Sequence, residues 1–151
     1  MTRKNIPLVE TKMLIRRPVE EVFQAFIDPA ITTNFWFTKS SGPLEAGKTV
    51  TWEWEMYKAS AQVCVKEIIS NELIKIEWGE PPVTVDFLFE VFSKDSTYVV
   101  IRNYGFQLKG DDLIQAIKDN TGGFTTVLDG MKAYMEHNIK LNLIADKYPG
   151  K

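Results

Sequence analysis

Through the middle of the chain hydrophobic and polar residues alternate, and towards both ends the spacing changes to that of helices. Residues 49–57 set Val50, Trp52, Trp54 and Met56 against Thr49, Thr51, Glu53 and Glu55. A period of two predicts a half-buried strand with an aromatic inner face. The same alternation predicts strands near 61–69 (Val63, Val65), 73–78 (Ile74, Ile76, Trp78), 84–92 (Val85, Phe87, Phe89, Val91) and 97–104 (Thr97, Val99, Ile101, Asn103). The breaks at Ser70-Asn71, Gly79-Glu80-Pro81-Pro82 and Lys94-Asp95-Ser96 are short and turn-forming, so neighbouring strands should run antiparallel as a meander. Residues 8–16 add a further extended run, closed at Arg17-Pro18 because a residue before proline avoids the helical region. Six strands are expected.

Pro18 opens a helix whose stripe is Val19, Val22, Phe23 and Phe26, with Glu20 and Glu21 in the first turn where the dipole favours anions. Asp28-Pro29 ends it and starts another, Asp28 as N-cap, running through Ile31 to Phe35. After Gly105, Asp111 is expected to cap a short helix to about Lys118, broken at Asn120 to Gly123. A longer helix over 123–142 then places Phe124, Val127, Leu128, Met131, Tyr134, Met135 and Asn138 on one side, with Lys132, Glu136 and Lys140 opposite. No repeat, linker or low-complexity run interrupts this order, so residues 1–151 read as one domain.

Composition narrows the function classes. At 151 residues, 44% hydrophobic and 25% charged, the chain is a globular domain long enough to bury a core without staples. One cysteine, Cys64, excludes an intrachain disulfide and fits a reducing cytoplasm. The stretch Met1 to Lys12 is polar, and no run of about 18 apolar residues occurs, so neither secretion nor membrane insertion is expected. The 18 basic residues are scattered among 20 acidic ones, which disfavours nucleic acid as a partner. A single histidine, His137, and a single cysteine exclude metal sites built from several such ligands, and no cofactor is expected.

Several stretches sharpen the reading: Ile15-Arg16-Arg17-Pro18-Val19-Glu20-Glu21-Val22-Phe23-Gln24-Ala25-Phe26, Phe35-Trp36-Phe37-Thr38, Gly47-Lys48-Thr49-Val50-Thr51-Trp52-Glu53-Trp54, Ile76-Glu77-Trp78, and Gly123-Phe124 leading to Val127-Leu128-Asp129-Gly130-Met131-Lys132. In this order and spacing they resemble the family named for the activator of the heat-shock-protein-90 ATPase, within the START and birch-pollen-allergen superfamily. Phe124 stands where that family usually has tryptophan. The resemblance implies an α+β helix-grip fold: a curved six-stranded antiparallel sheet, two short helices after the first strand, and a long C-terminal helix across the sheet. It also implies a cavity between sheet and helix, where superfamily relatives bind lipids, hormones or aromatic molecules and some cyclise polyketides. The namesake activity belongs to eukaryotic proteins with an additional N-terminal domain; this chain begins almost at its first strand, so chaperone activation of that kind is not expected.

The candidate ligand-binding set is Trp52, Trp54, Met56, Trp78, Phe87 and Phe89 from the strands, with Phe124, Val127, Met131 and Met135 opposing them from the helix. These side chains either line an apolar cavity or simply fill the core. Asn103, in phase on the inward face, either orients a ligand's polar end or bonds to neighbouring backbone. Tyr57 is a candidate at the mouth. Glu53 and Glu55 share a strand face and invite an acid–base reading, but if the tryptophans point inward these carboxylates face solvent. His137 falls beside Glu136 toward the polar side of the helix, and Cys64 between Val63 and Val65 reads as a small strand residue.

These residues predict a binding protein for a small hydrophobic or aromatic molecule rather than an enzyme. A chaperone-related interaction module on the outer sheet face is the alternative, and a cyclase or hydrolase in the same cavity the third reading. Leu88, Phe92, Tyr98, Val100 and Tyr104 fall on that outer face, which no remaining element covers, so a homodimer or partner surface is expected there.

Overall fold

The computed structural model describes residues 6–150. Its elements are β1 (Leu8–Ile15), α1 (Val19–Ile27), α2 (Pro29–Thr32), β2 (Lys39–Ser40), β3 (Thr49–Trp54), a 3₁₀ turn (Glu55–Tyr57), β4 (Ala59–Ile69), β5 (Leu73–Trp78), β6 (Val83–Ser93), β7 (Ser96–Tyr104), α3 (Gly110–His137) and α4 (Leu143–Lys147). The strands form one antiparallel sheet of seven, ordered β1-β7-β6-β5-β4-β3-β2. The seventh strand, beyond the six expected, is the two-residue β2, which pairs Lys39 with Glu53 and Ser40 with Trp52. Two residues carry no readable alternation.

Cross-strand pairing puts the expected inner positions in register: Val65 lies opposite Ile76, Ile76 opposite Val85, and Val85 opposite Asn103. A second inner row runs from Ile74 through Phe87 and Ile101 to Thr11. Onto this face pack α1 through Val22, Phe23 and Phe26, and α3 through Phe124, Val127, Leu128 and Met131. Burying such side chains contributes about 1.5–3 kcal/mol each, far more than any surface contact here.

The expected pair of helices after Gly105 is one continuous 28-residue helix. Asn120, Thr121, Thr125 and Thr126 each return a side-chain hydrogen bond to the carbonyl one turn back, so their polar groups need no break in the helix. Packing of Phe124 and Val127 on the sheet outweighs the roughly 1 kcal/mol that each of Gly122 and Gly123 costs relative to alanine. The helix ends at His137 rather than near 142, because Asn138 adopts a left-handed conformation with φ 56°. Strand β3 is also shorter than expected: it stops at Trp54, and Met56 leaves the inner phase in the 3₁₀ turn.

The outer face differs from expectation as well. Val100 is only 3% exposed, lying between Lys12 and Leu88 on the flanking strands. Tyr104 donates its hydroxyl to Asp86, and Lys75 donates to Tyr104. This ladder of polar and apolar neighbours breaks the anticipated contiguous patch. What stays open is the end of the β6–β7 hairpin, where Val91 and Phe92 are 66% and 72% exposed.

Candidate functional site

Trp54 ends β3 and Trp78 ends β5, so two indoles emerge at the same end of the sheet, their ring centroids 6.3 Å apart. Above them α3 brings Phe124, whose ring stacks on Trp78 at 6.0 Å with an interplanar angle of 29°. From the loop after α2, Trp36 reaches into the same space, 6.0 Å from both Trp78 and Phe124 and 6.5 Å from Trp54. These four rings form the floor of a hollow of about 310 Å³, with Val127 and Gly123 of α3 on one side. Tyr57, Ile144 and Tyr148 close it from the other.

Tyr57 is held in place by what it does to α4: its hydroxyl donates to the carbonyls of Ile144 and Ala145. Lys147 on α4 reaches back to Thr126 Oγ1 at 3.0 Å. The C-terminal segment is thereby fastened across the mouth of the hollow. A second hollow of about 410 Å³ adjoins the first, bordered by Val83, Phe106, Leu108 and Ala116, and shares with it Trp54, Trp78 and Asn120. No Asp, Glu, Lys, Arg or His lines either of them.

The sequence-derived candidates divide into three groups. Trp54, Trp78, Phe124 and Val127 border the aromatic hollow, together with Tyr57. Trp52, Phe87, Phe89 and Met131 are buried in the packed core, and none of them borders a hollow named here. Met56 and Met135 lie apart. Met56, 42% exposed, borders a small cleft of about 100 Å³ with Leu141 and Leu143. Met135 borders a groove of about 780 Å³ between α1 and the end of α3.

That groove is the largest hollow described, yet it is a weaker candidate. Its rim is charged, with Glu20, Glu21, Glu136 and Arg17, and Arg17 is already bonded to the carbonyl of Met135 at 2.9 Å. Asn103 is fully buried; its Nδ2 donates to the carbonyl of Thr84 at 3.0 Å, and its Oδ1 has no partner among the described residues. Thr11 Oγ1, one inner row away, is likewise without a partner.

Trp36 is the contributor that sequence reasoning missed. It contacts Phe26, Trp52 and Phe87 as well as the three rings of the hollow, and so fills the space between sheet and helix that the strand aromatics alone leave open. Its signal was the Phe35-Trp36-Phe37 run, three large rings in a segment too short for an element of its own. Asn120, Ile144 and Tyr148 were missed because their role depends on α3 being continuous and on α4 folding back.

Shifted titrations lie away from the hollow. Arg102, with Lys12, holds the Glu10 carboxyl below its ordinary value. The Tyr104 hydroxyl, with Asp86, keeps Lys75 above its own. Burial pushes Glu136 up, but Lys132 and the Arg16 amide outweigh it and leave its carboxyl lowered. Among the described residues no group of three or more His, Cys, Asp or Glu could hold a metal ion. No helix among them is long and apolar enough to cross a membrane.

A sheet gripped by one long helix, with an aromatic hollow at its open end, is the architecture of the helix-grip proteins. Residues 16–136 match the family model described as activator of Hsp90 ATPase homolog 1-like protein, and the chain belongs to that family. Among solved structures, protein SSP2350 from Staphylococcus saprophyticus is 30% identical with a TM-score of 0.79, covering 89% of this chain and 95% of that one. The Aha1 dimer from Colwellia psychrerythraea is 16% identical, TM-score 0.72, covering 86% and 96%. CalU16 from Micromonospora echinospora is 16% identical, TM-score 0.70, covering 91% and 79%. The last two likenesses establish the fold alone. A comparison with the curated proteins finds no match.

Proposed function

We propose that this protein binds a small, uncharged apolar molecule in the hollow formed by Trp36, Trp54, Trp78 and Phe124. The observation that carries the reading is the lining itself: aromatic faces, two tyrosines, aliphatic carbons and the single amide of Asn120, with no carboxylate, ammonium or imidazole, around a space of about 310 Å³. Ligand sites of small molecules begin at about that volume and are predominantly apolar. Removing about 200 Å² of ligand surface from water contributes about 5 kcal/mol, from which the cost of immobilising the ligand is subtracted, so binding is weak and calls for high ligand concentrations. The acid–base chemistry of a cyclase or hydrolase finds no carboxylate, imidazole or thiol in the lining.

Gly123 provides the test. It borders the hollow, and a Cβ built on it meets nothing within 4 Å, so a larger side chain enters the ligand space instead of the core. Naphthalene, 1-naphthol and 1-octanol are titrated at hundred-micromolar concentrations and read by tryptophan fluorescence, since Trp54 and Trp78 face the site. The wild type should respond and Gly123→Leu should not, with its melting temperature unchanged or raised. Silence of the wild type towards all three overturns the reading.

A second reading rests on the hairpin end, where Val91 and Phe92 stand exposed beside Leu14 and Tyr98 around a hollow of about 340 Å³. We infer a protein-contact surface there, serving a second copy of the chain or a chaperone-related partner. Sedimentation equilibrium tests the self-association: a concentration-dependent mass that Phe92→Glu abolishes supports it, and a monomer at all concentrations removes the homodimer.

A further inference from the structure

Asn120 belongs to both adjoining hollows, and the chemistry of its amide limits what can bind across them. Its side chain returns a hydrogen bond from Nδ2 to the carbonyl of Ala116 at 2.8 Å. Only the NH₂ end of an amide can donate to a carbonyl, so that bond fixes which way the group is turned. The opposite atom, Oδ1, is therefore an acceptor; among the described residues no donor reaches it, and it stays open to solvent until a ligand covers it. To either side the lining is mainly apolar: Phe124, Val127 and Ile144 with the phenol rings of Tyr57 and Tyr148 in the first hollow, Val83, Phe106 and Leu108 in the second. Trp54, Trp78 and Asn120 are common to both, so the Asn120 side chain stands where the hollows meet.

The geometry points to a specific ligand class, an inference that rests on the binding function proposed above. The molecule is neutral, elongated and apolar at both ends, and it carries one hydrogen-bond donor, an N–H or O–H, near its middle for Asn120 Oδ1. An apolar ligand without that donor leaves a polar atom dry and unpaired, which binding penalises. A charged group inside either hollow meets no counter-ion, because no Asp, Glu, Lys, Arg or His lines them. Asn120 is thus the specificity-determining residue of the site.

A matched set of fluorescent probes tests this. N-phenyl-1-naphthylamine has two aromatic ends joined by a central N–H; its N-methyl derivative lacks the donor; 1-anilinonaphthalene-8-sulfonate adds an anion to the same frame. The wild type should bind N-phenyl-1-naphthylamine, with the N-methyl compound about threefold to tenfold weaker and the sulfonate at least as much weaker. Asn120→Ala keeps the helix, since alanine is the better helix former, and should weaken the N–H probe by about threefold to tenfold while leaving the N-methyl probe as tight or tighter, since no acceptor remains to be left unpaired. Equal wild-type affinity for the N–H and N-methyl probes, or an equal change for both in Asn120→Ala, overturns the role of Asn120. Tight binding of the sulfonate overturns the neutral class. Gly123→Leu separates these failures from failure of the site: if it leaves the N–H probe bound, the hollow is not the binding site and both proposals fall; if none of these probes binds a wild type that responds to naphthalene, this inference alone falls.

Discussion

The ring of Trp36 lies 4.8 Å from that of Trp52, and this contact closes the interior beneath α3. Trp52 itself stacks on Phe37 at 4.5 Å, so the loop after α2 supplies two rings to a space that the strands enclose but do not fill. Trp36→Ala should therefore open an internal cavity continuous with the aromatic hollow. Loss of a buried aromatic of this size costs about 3–5 kcal/mol, and a fall of that size in unfolding free energy is expected in urea. The variant should also accept larger apolar ligands than the wild type. A loss under about 1 kcal/mol would mean that the loop is not part of the core.

How far the sequence carried the reading follows from this arrangement. Alternation along β3, β5, β6 and β7 was legible because the face of the sheet is set by a period of two, and Val85, Phe87, Val99 and Ile101 fall inward as expected. Trp36 was not legible as a plug, since its partners Phe26, Trp52, Phe87 and Phe124 come from four separate elements. Local propensity also misplaced the helix break at Asn120 to Gly123, where tertiary packing of Phe124 decides the outcome. Asn103 was legible as buried and inward, and its bond to Thr84 matches one of the two roles open to it.

The glycine pair inside α3 gives a stability prediction. Gly123 has open space around its missing Cβ and ordinary helical backbone, so Gly123→Ala should stabilise the protein by about 0.5–1 kcal/mol through the unfolded chain and helix propensity. Gly130 behaves differently. A Cβ there meets the Phe35 carbonyl at 3.4 Å and the Phe35 side chain at 3.5 Å, ordinary van der Waals contact, so Gly130→Ala should be tolerated, whereas the larger Gly130→Leu should destabilise where Gly123→Leu does not. Parallel thermal melts of Gly123→Leu and Gly130→Leu decide it; equal melting temperatures for the two would show that α3 does not need its close approach to Phe35.

Tyr57 joins the sheet side of the hollow to α4 through the carbonyls of Ile144 and Ala145. Removing that hydroxyl should loosen the cover without unfolding the domain. For Tyr57→Phe we expect a stability change of about 0.5–1.5 kcal/mol or less, faster amide hydrogen exchange confined to residues 143–148, and faster ligand release. Unchanged exchange in that segment would mean that Lys147 and Thr126 hold α4 alone.

At the edge of the sheet, β1 is closed off by a side-chain bridge from α3. Lys132 donates to the carbonyl of Leu14 at 2.7 Å and to Glu136 at 2.6 Å, and Glu136 accepts from the Arg16 amide at 2.9 Å. The side chain of Glu136 is 10% exposed and that of Lys132 34%. Burial opposes ionisation of Glu136, but Lys132 and the Arg16 amide prevail and its carboxyl is lowered from the ordinary value of 4.5. A carboxyl lowered by folding stabilises the native state fully above its unfolded value, and this contribution disappears as the pH falls through the lower folded value. Wild type should therefore exceed Glu136→Gln by about 1–2 kcal/mol at pH 7, a figure discounted for the exposed lysine end. Denaturation midpoints measured from pH 7 down to pH 3 should bring the two proteins together as the acid range is crossed. A gap that stays constant over that range would place the effect of the substitution in packing rather than in charge.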